Sequence, residues 1–486
     1  MVRTGAYPCL TGRAQSSCAM VAGSRCGSCF GGGGYVATSR PIVEAAVGGT
    51  RRSVGLPATA LIACFFLASV DLSGLLSLGP ISMSGMSTIV VPGLLAMALL
   101  IDYVYASALG TRFPLSRAYQ IHQARVPGLL WLFVAYALMR LAMSPTVEAV
   151  QNVLCYTLFV TSVSLVATAL RRDYSRVLSA MIVSGCLGAV FFVAQTLSGS
   201  PAWMGARSFA MTGIVTLCMV VAAPTRAPSD EPTASVSEPV RARSSSGLLA
   251  VLLASLLVTA VTISLSRTAF AVAFLLLLFM VTRVRAGRRL RVLGALTAAI
   301  IVMVVLVSLF YPPFLERFTV GDNAKVGSIA VNTSGRAQFW EITWDSAMRA
   351  PIWGHGPGTA GRMIEAHFGH TGIGHPHNDY LRVFNDLGVI GVVLFWGGIF
   401  YLLGRCIRRA VSLGRREDWA ATAALLVVVL MAVTDNIIVY GFVMMPVGVL
   451  AGMCLRDDVR AYPSLVSSSP AFHGGVSRWT ARSTHR

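Results

Sequence analysis

Histidine is scarce in this 486-residue chain, with eight in all, yet five of them (His355, His367, His370, His375 and His377) fall in one short stretch. Metal binding is the first chemistry such a cluster suggests. His367-x-x-His370 and His375-x-His377 do not give the i, i+4 pairing that sets two imidazoles on one helix face, and glycines interrupt the run. Even with Glu365 nearby, the spacing does not argue for a metal. His377 stands apart because of its sequel, Asn378-Asp379-Tyr380-Leu381-Arg382, which leads through Gly388 and Gly391 into a long apolar segment. A histidine at the head of a membrane helix, with an ordinary pKa of about 6.5, can take a proton from a hydroxyl near neutral pH.

Arginines form the second set. Arg267 lies in Leu265-Ser266-Arg267-Thr268, at a turn between two apolar segments where an unpaired guanidinium would be costly. Arg336 opens an amphipathic stretch. Guanidinium is always charged, and its planar fork matches phosphate oxygens. Two arginines and a histidine meeting at one membrane surface would suit a lipid-diphosphate leaving group and an acceptor hydroxyl. Arg140, Arg207 and Arg317 are weaker arginines of the same kind, and Asp71 and Asp435 lie near span ends without an evident partner. The plain alternatives are arginines that snorkel to lipid headgroups and loop histidines that hydrogen-bond locally.

The elements that must position these residues are membrane helices. The chain is 55% hydrophobic and 12% charged, about half the charge of an ordinary soluble domain. Apolar stretches long enough to cross about 30 Å of hydrocarbon lie near 57–78, 86–106, 128–144, 148–170, 177–197 and 207–223, then near 247–266, 268–282, 292–311, 388–404, 419–435 and 437–455. The positive-inside rule tests the count. Arginines fall in alternate connections: Arg112, Arg117 and Arg125; Arg171, Arg172 and Arg176; Arg226, Arg241 and Arg243; Arg283 to Arg291; Arg405 to Arg416. The opposite connections, 80–85, 145–147 and 198–206, contain no Lys or Arg. The expected fold is therefore an all-α membrane bundle of about twelve helices with both termini cytoplasmic.

That topology divides the chain into a tail at 1–56, six spans over 57–223, a Pro/Ser/Ala-rich linker at 224–246 and three spans over 247–311. A large external loop at 312–387, three spans over 388–455 and a tail at 456–486 complete it. The loop is expected to hold an amphipathic helix over Gly335–Arg349, with Trp340 and Trp344 suited to the bilayer interface and Ala350-Pro351 ending it. The glycine-rich stretch that follows, Ile352 to Thr359, would let backbone approach a ligand closely. None of the ten cysteines lies in the loop, so it has no disulfide framework. Cys26-Gly-Ser-Cys29 lacks a second paired motif and reads as part of a disordered tail. The net charge of +19 is carried by arginine except for Lys325. No basic soluble face with interleaved aromatics accompanies it, so nucleic acid is not an expected partner.

These residues resemble the O-antigen ligase/polymerase superfamily, bacterial membrane glycosyltransferases that move glycans from an undecaprenyl-diphosphate carrier. His377-Asn378, nine residues, then Gly388-Val389-Ile390-Gly391 fits the family pattern of H-[NSQ], nine residues and G-x-x-[GTY]. Ser266-Arg267-Thr268-Ala269, Gly335-Arg336 followed by Trp340, and Pro351 to Gly358 are further matches. The resemblance is most specific over 247–404. It implies that Arg267 and Arg336 hold the diphosphate and that His377 is general base, with Arg207, Asn378, Tyr380 and Arg382 as substrate-binding candidates. The segment after Arg207 lacks the asparagine-containing pattern of the family. The resemblance further implies an inverting, metal-independent transferase without a cofactor, in the bacterial inner membrane. Its acceptor would be another glycan, a lipid A core or a protein hydroxyl, with polymerase or exopolysaccharide assembly preferred. The alternative is a transporter or flippase of lipid-linked glycans, whose substrate site would lie near the bilayer midplane, commonly between repeated halves; no internal repeat is visible. A non-catalytic envelope scaffold is the third reading.

Overall fold

The computed structural model describes residues 126–169, 174–199, 204–222, 245–282, 323–326, 329–332, 336–368 and 375–455, with a few isolated positions elsewhere. Nearly all of the expected spans at 57–78, 86–106 and 292–311 falls outside these residues. So do most of the linker at 224–246, both tails, and Asp71, Arg317 and His370.

Among the described residues, six apolar helices precede the loop: α1 (Gly128–Met143), α2 (Val147–Ala169), α3 (Tyr174–Ser198), α4 (Ala206–Val221), α5 (Ser245–Ile263) and α6 (Arg267–Thr282). Each overlaps an expected span. The breaks come where the sequence supplies caps. Thr146 Oγ1 accepts from the Ala149 N–H at the head of α2 (3.2 Å), and Ser266 Oγ accepts from the Ala269 N–H at the head of α6 (3.4 Å). Among the described residues, two helices, Arg176–Ser198 and Asp379–Leu413, are long and apolar enough to cross a membrane by length and composition, and several others are shorter apolar helices. Leu132, Leu138, Val183, Phe191, Leu252 and Phe400 are about half exposed on the outside of the bundle, as side chains facing acyl chains would be.

The loop is more structured than the sequence suggests. It holds an antiparallel hairpin, β1 (Asn323–Val326) and β2 (Ile329–Asn332), with Asn323 opposite Asn332. Val326, Ile329 and Val331 favour strands, and Gly327-Ser328 is a two-residue hairpin sequence. The all-α expectation therefore needs this one correction among the described residues. The expected amphipathic helix is α7 (Arg336–Arg349), and a second helix, α8 (Thr359–Phe368), follows the glycine-rich stretch. On α7, Trp344 and Met348 are exposed, whereas Trp340 is turned inward: its Nε1–H donates to the Pro376 carbonyl (2.9 Å).

Three helices close the bundle: α9 (Asp379–Leu413), α10 (Arg416–Met431) and α11 (Gly441–Leu455). Helix α9 starts at Asp379, well before the expected span start at Gly388, because Asn378 caps it by accepting from the Tyr380 and Leu381 N–H groups (3.0 and 3.1 Å). At about 1.5 Å per residue it is about 50 Å long, so its first turns extend beyond a hydrocarbon core. All residues of α11 are buried, and it packs along α2. A Cβ on Gly448 or Gly452 would stand 2.8 Å from the Phe159 carbonyl oxygen or 2.6 Å from that of Val163. This is the small-xxx-small contact that brings membrane helices together without a hydrophobic driving force.

The glycine-rich stretch approaches the backbone of α9 closely. Gly388 interrupts α9 with φ 66° and ψ −170°, a conformation open essentially only to glycine. A Cβ there would lie 2.2 Å from the Ile352 carbonyl oxygen. The freed backbone is satisfied locally. The N–H groups of His355, Gly356 and Val389 donate to Asn385, Asp386 and Pro351 carbonyls at 2.8–2.9 Å. The Tyr136 hydroxyl lies 3.2 Å from the Leu387 carbonyl and 2.9 Å from that of Trp353, and Arg140 Nη2 donates to the Gly354 carbonyl (2.8 Å). Asp386 caps α8 from a distance, accepting from the Gly358 and Ala360 N–H groups and from Thr359 Oγ1 (2.9, 2.8 and 2.9 Å).

Candidate active site

Arg207, Arg267 and Arg336 each stand in the first turn of their helix: α4, α6 and α7. Helix starts present unpaired N–H groups and the positive end of the dipole. The sequence fixes each start differently. Gln195 pins the strand of chain before α4, accepting from the Met204 N–H (2.9 Å) and donating to its carbonyl (3.3 Å). Before α6, Leu265 has φ 59° and Ser266 caps the helix, so Arg267 projects from a tight, strained turn. Arg336 is half-buried, and Trp340, one turn along α7, anchors that helix to Pro376.

His377 follows Pro376 and also has a positive φ, 53°, an uncommon value for a non-glycine residue. The turn is held on one side by the Trp340 bond and on the other by the Asn378 cap. The imidazole is nearly buried. Arg207 Nη1 lies 3.4 Å from its Nε2 and 3.5 Å from its Nδ1. The Asn436 amide meets Nδ1 at 2.8 Å. Asp435 Oδ1 lies 3.8 Å from Nδ1 and 3.6 Å from Arg207 Nε.

Asp435 and Asn436 come from the turn between α10 and α11, which is clamped from three helices. From α9, the Asp379 N–H donates to the Ala432 carbonyl (2.8 Å) and its carboxylate accepts from the Ile438 N–H (2.9 Å). Thr268 on α6 shares a 2.7 Å hydrogen bond with Thr434, and the Cys155 thiol on α2 donates to the Val439 carbonyl (3.0 Å).

The Asp435 carboxylate pairs with Arg207 and also feels the charge of Arg336. Arg336 is held below the ordinary arginine value first by burial and also by the charges of Arg207 and Arg267, with Asp435 opposing. Arg207 and Arg267 thus lie near enough to Arg336 for their charges to act on it. His377 is pushed down to about 2, first by burial and then by Arg207, Arg336, His375 and Arg382. His375 is pushed down to about 3, again first by burial and then by Arg382 and Arg207. Both imidazoles are therefore neutral at pH 7. The site combines clustered positive charge with an uncharged imidazole. It can bind a multivalent oxyanion and accept a proton beside it.

Arg267, Arg336, Arg207 and His377 are thus brought together. Asn378 and Tyr380 have their polar groups engaged elsewhere, and Arg382 is turned into the core. Asn378 is spent as the α9 cap. The Tyr380 hydroxyl donates to the Val429 carbonyl (3.0 Å), and its ring stacks on Trp396 at 4.0 Å. Arg382 is fully buried and pairs with Asp379 (3.4 Å). Of the other histidines, His355 Nε2 is bonded to the Ser346 carbonyl (2.9 Å), and His367 packs edge-on against Phe368. Among the described residues, no group of three or more His, Cys, Asp or Glu side chains is placed to hold a metal ion.

Asp435 and Asn436 were the residues that sequence reasoning missed or left without a partner. The signal was present: an acid between two apolar segments is rare unless it has a polar role.

Residues 248–396 match the family model described as O-antigen ligase, Wzy_C. The matched stretch includes Arg267, Arg336, His377, Gly388 and Gly391, whereas Arg207, Asp435 and Asn436 lie outside it. No curated protein matches the chain. The match supports a likeness to the O-antigen ligase/polymerase superfamily, a family of membrane enzymes, over residues 248–396.

Proposed function

We propose that this protein is a glycosyltransferase of the bacterial inner membrane that moves a glycan from an undecaprenyl-diphosphate donor to an acceptor hydroxyl at the outer surface. The observation that carries the reading is the meeting of three helix-initiating arginines with one neutral, nearly buried histidine. Arg207, Arg267 and Arg336 hold the diphosphate and neutralise the charge that grows on it as it leaves, which is the main demand of a reaction with a good leaving group. The acceptor oxygen attacks the anomeric carbon, and its proton passes to His377. The bond from carbon to the diphosphate oxygen breaks, and its electron pair leaves on the phosphate. Attack from the face opposite the leaving group inverts the anomeric centre.

Burial first, and then the field of Arg207 and Arg336, depresses the basicity of His377. A bound diphosphate cancels part of that field and raises the histidine toward its ordinary value, so the base is strongest when the donor is in place. The arginine distribution along the sequence supports cytoplasmic termini and an outward-facing site. Asn378, Tyr380 and Arg382 serve the reaction as scaffold, fixing the start of α9.

The test is glycan transfer in cells lacking the native protein and complemented with variants. His377→Ala and Arg267→Ala should abolish transfer while the protein stays in the membrane at normal abundance. Full transfer by either variant would overturn the assignment. The glycan profile of the His377→Ala strain separates acceptors. Loss of chain length points to polymerisation, loss of lipid A attachment to ligation, and loss of protein glycan to protein modification.

A further inference from the structure

A general base needs a free lone pair, and its ring must carry the remaining proton on the other nitrogen. Only some of the groups around His377 can set that choice. Arg336 acts on the ring through charge, and Arg207 is a donor without acceptor capacity, so its Nη1, 3.4 Å from Nε2, can meet only a lone pair there. His375 and Arg382, from the chain entering α9 and from α9 itself, act on the ring through charge alone. Asp435 lies 3.8 Å from Nδ1, beyond hydrogen-bond reach, and is engaged by the Asn436 N–H (3.0 Å) and by Arg207 (3.6 Å). The Asn436 amide, fully buried, is at 2.8 Å from Nδ1.

The two ends of an amide have the same shape, so this contact has two readings. With Nδ2–H donating to Nδ1, the ring proton sits on Nε2, where it faces the donor Arg207 Nη1 at 3.4 Å, and the remaining lone pair on Nδ1 is taken up by the amide. With the amide turned over, Nδ1–H donates to Asn436 Oδ1 and Nε2 keeps its lone pair. The Asn436 Oδ1 atom otherwise lies buried without a hydrogen-bond partner, a costly state that the turned amide avoids for the oxygen.

Resting on the transferase reading above, we infer that Asn436 is a positioning residue for the reaction: it accepts from Nδ1–H of His377 and leaves Nε2 as the atom that takes the acceptor proton. Asp435 then has a separate task, balancing Arg207 and stabilising the imidazolium as it forms. The arrangement repeats, on a membrane bundle, the logic by which a third group orients a catalytic histidine in nucleophile–base–orienter triads.

The experiment uses the full-length protein in lipid with ring-labelled histidine. Nitrogen NMR reads the tautomer of His377, assigned by the signal missing in His377→Ala. Wild type should show Nδ1 protonated at neutral pH, and Asn436→Ala should lose that preference. In the complemented strain Asn436→Ala should lower transfer on the order of 10²-fold, at normal abundance. Asn436→Asp should retain most of the transfer. Its added negative charge should move the acid limb of the pH profile, measured on membranes with their native lipid-linked glycan, to higher pH.

A wild-type ring protonated on Nε2, full transfer by Asn436→Ala, or an Asn436→Asp profile that does not move would each overturn the inference. His377→Ala measured in parallel separates the two levels. An inactive His377→Ala beside a fully active Asn436→Ala sinks only the role of Asn436, whereas an active His377→Ala sinks the transferase mechanism with it.

Discussion

Two glycine- and histidine-marked regions flank the start of α9, and they use their polar groups in opposite ways. At the lock between Pro351 and Ala360, nearly every polar group is spent within the protein. Asp386 caps α8, Tyr136 and Arg140 take loop carbonyls, and His355 bonds to Ser346. At the arginine site, the Asp435 carboxylate pairs with Arg207 and feels the charge of Arg336, and burial together with these arginines holds His377 neutral. The family pattern that runs from His377 to Gly391 therefore splits in two. Its histidine half carries the chemistry proposed above, and its glycine half builds the kink that receives the loop.

The division can be broken at several points. The largest effect should come from His377→Ala, with transfer falling on the order of 10²–10⁴-fold and the melting temperature in detergent little changed. Gly388→Ala should do the reverse. A side chain must enter a glycine-only conformation and collide with the Ile352 carbonyl, costing about 2–5 kcal/mol of stability. Thermal unfolding and membrane abundance would read it, and an unchanged melting temperature would contradict the lock. Arg336→Lys keeps the charge but loses the planar fork, so the apparent KM for donor should rise roughly 10-fold, with kcat less affected.

Smaller effects sharpen the same contrast. Trp340→Phe deletes the bond to the Pro376 carbonyl and should cost about 1 kcal/mol while loosening the His377 turn, so transfer should fall more than stability. The two depressed histidines give a pH signature. Their folded values lie below the ordinary value of about 6.5, so the unfolded chain binds more protons as pH falls through that range. Stability should therefore be full near pH 7 and decline below about pH 6.5. The Nδ1 of His375 is buried without a hydrogen-bond partner. A His375→Gln variant should flatten the decline in a series of melting curves; an unchanged slope would place the acid sensitivity elsewhere.

Much of the site was legible in the sequence, and the gaps have physical causes. His377 could be found because it precedes an apolar run at a fixed distance from two glycines, and Arg336 because it opens an amphipathic helix. Arg382 looked equally available. Nothing local says that it lies on the inward face of α9 beside Asp379 and is buried by packing. Asn378 is polar and adjacent to the base, but a residue just before a helix has a prior claim as its cap. Asn436 meets His377 across 59 residues of chain, through a turn clamped by Asp379, Thr268 and Cys155. No spacing rule reaches that far. The β1–β2 hairpin was readable from Val326-Gly327-Ser328-Ile329 but was overshadowed by the helical signals on either side.

The most direct test of the division of labour separates donor binding from turnover in one preparation. The purified full-length protein and its variants would be titrated with a fluorescent undecaprenyl-diphosphate glycan. The account predicts that His377→Ala binds the donor as tightly as wild type but transfers nothing, and that Arg207→Ala and Arg336→Ala lose binding roughly 10–100-fold each. Transfer by His377→Ala, or undiminished donor binding by both arginine variants, would contradict it.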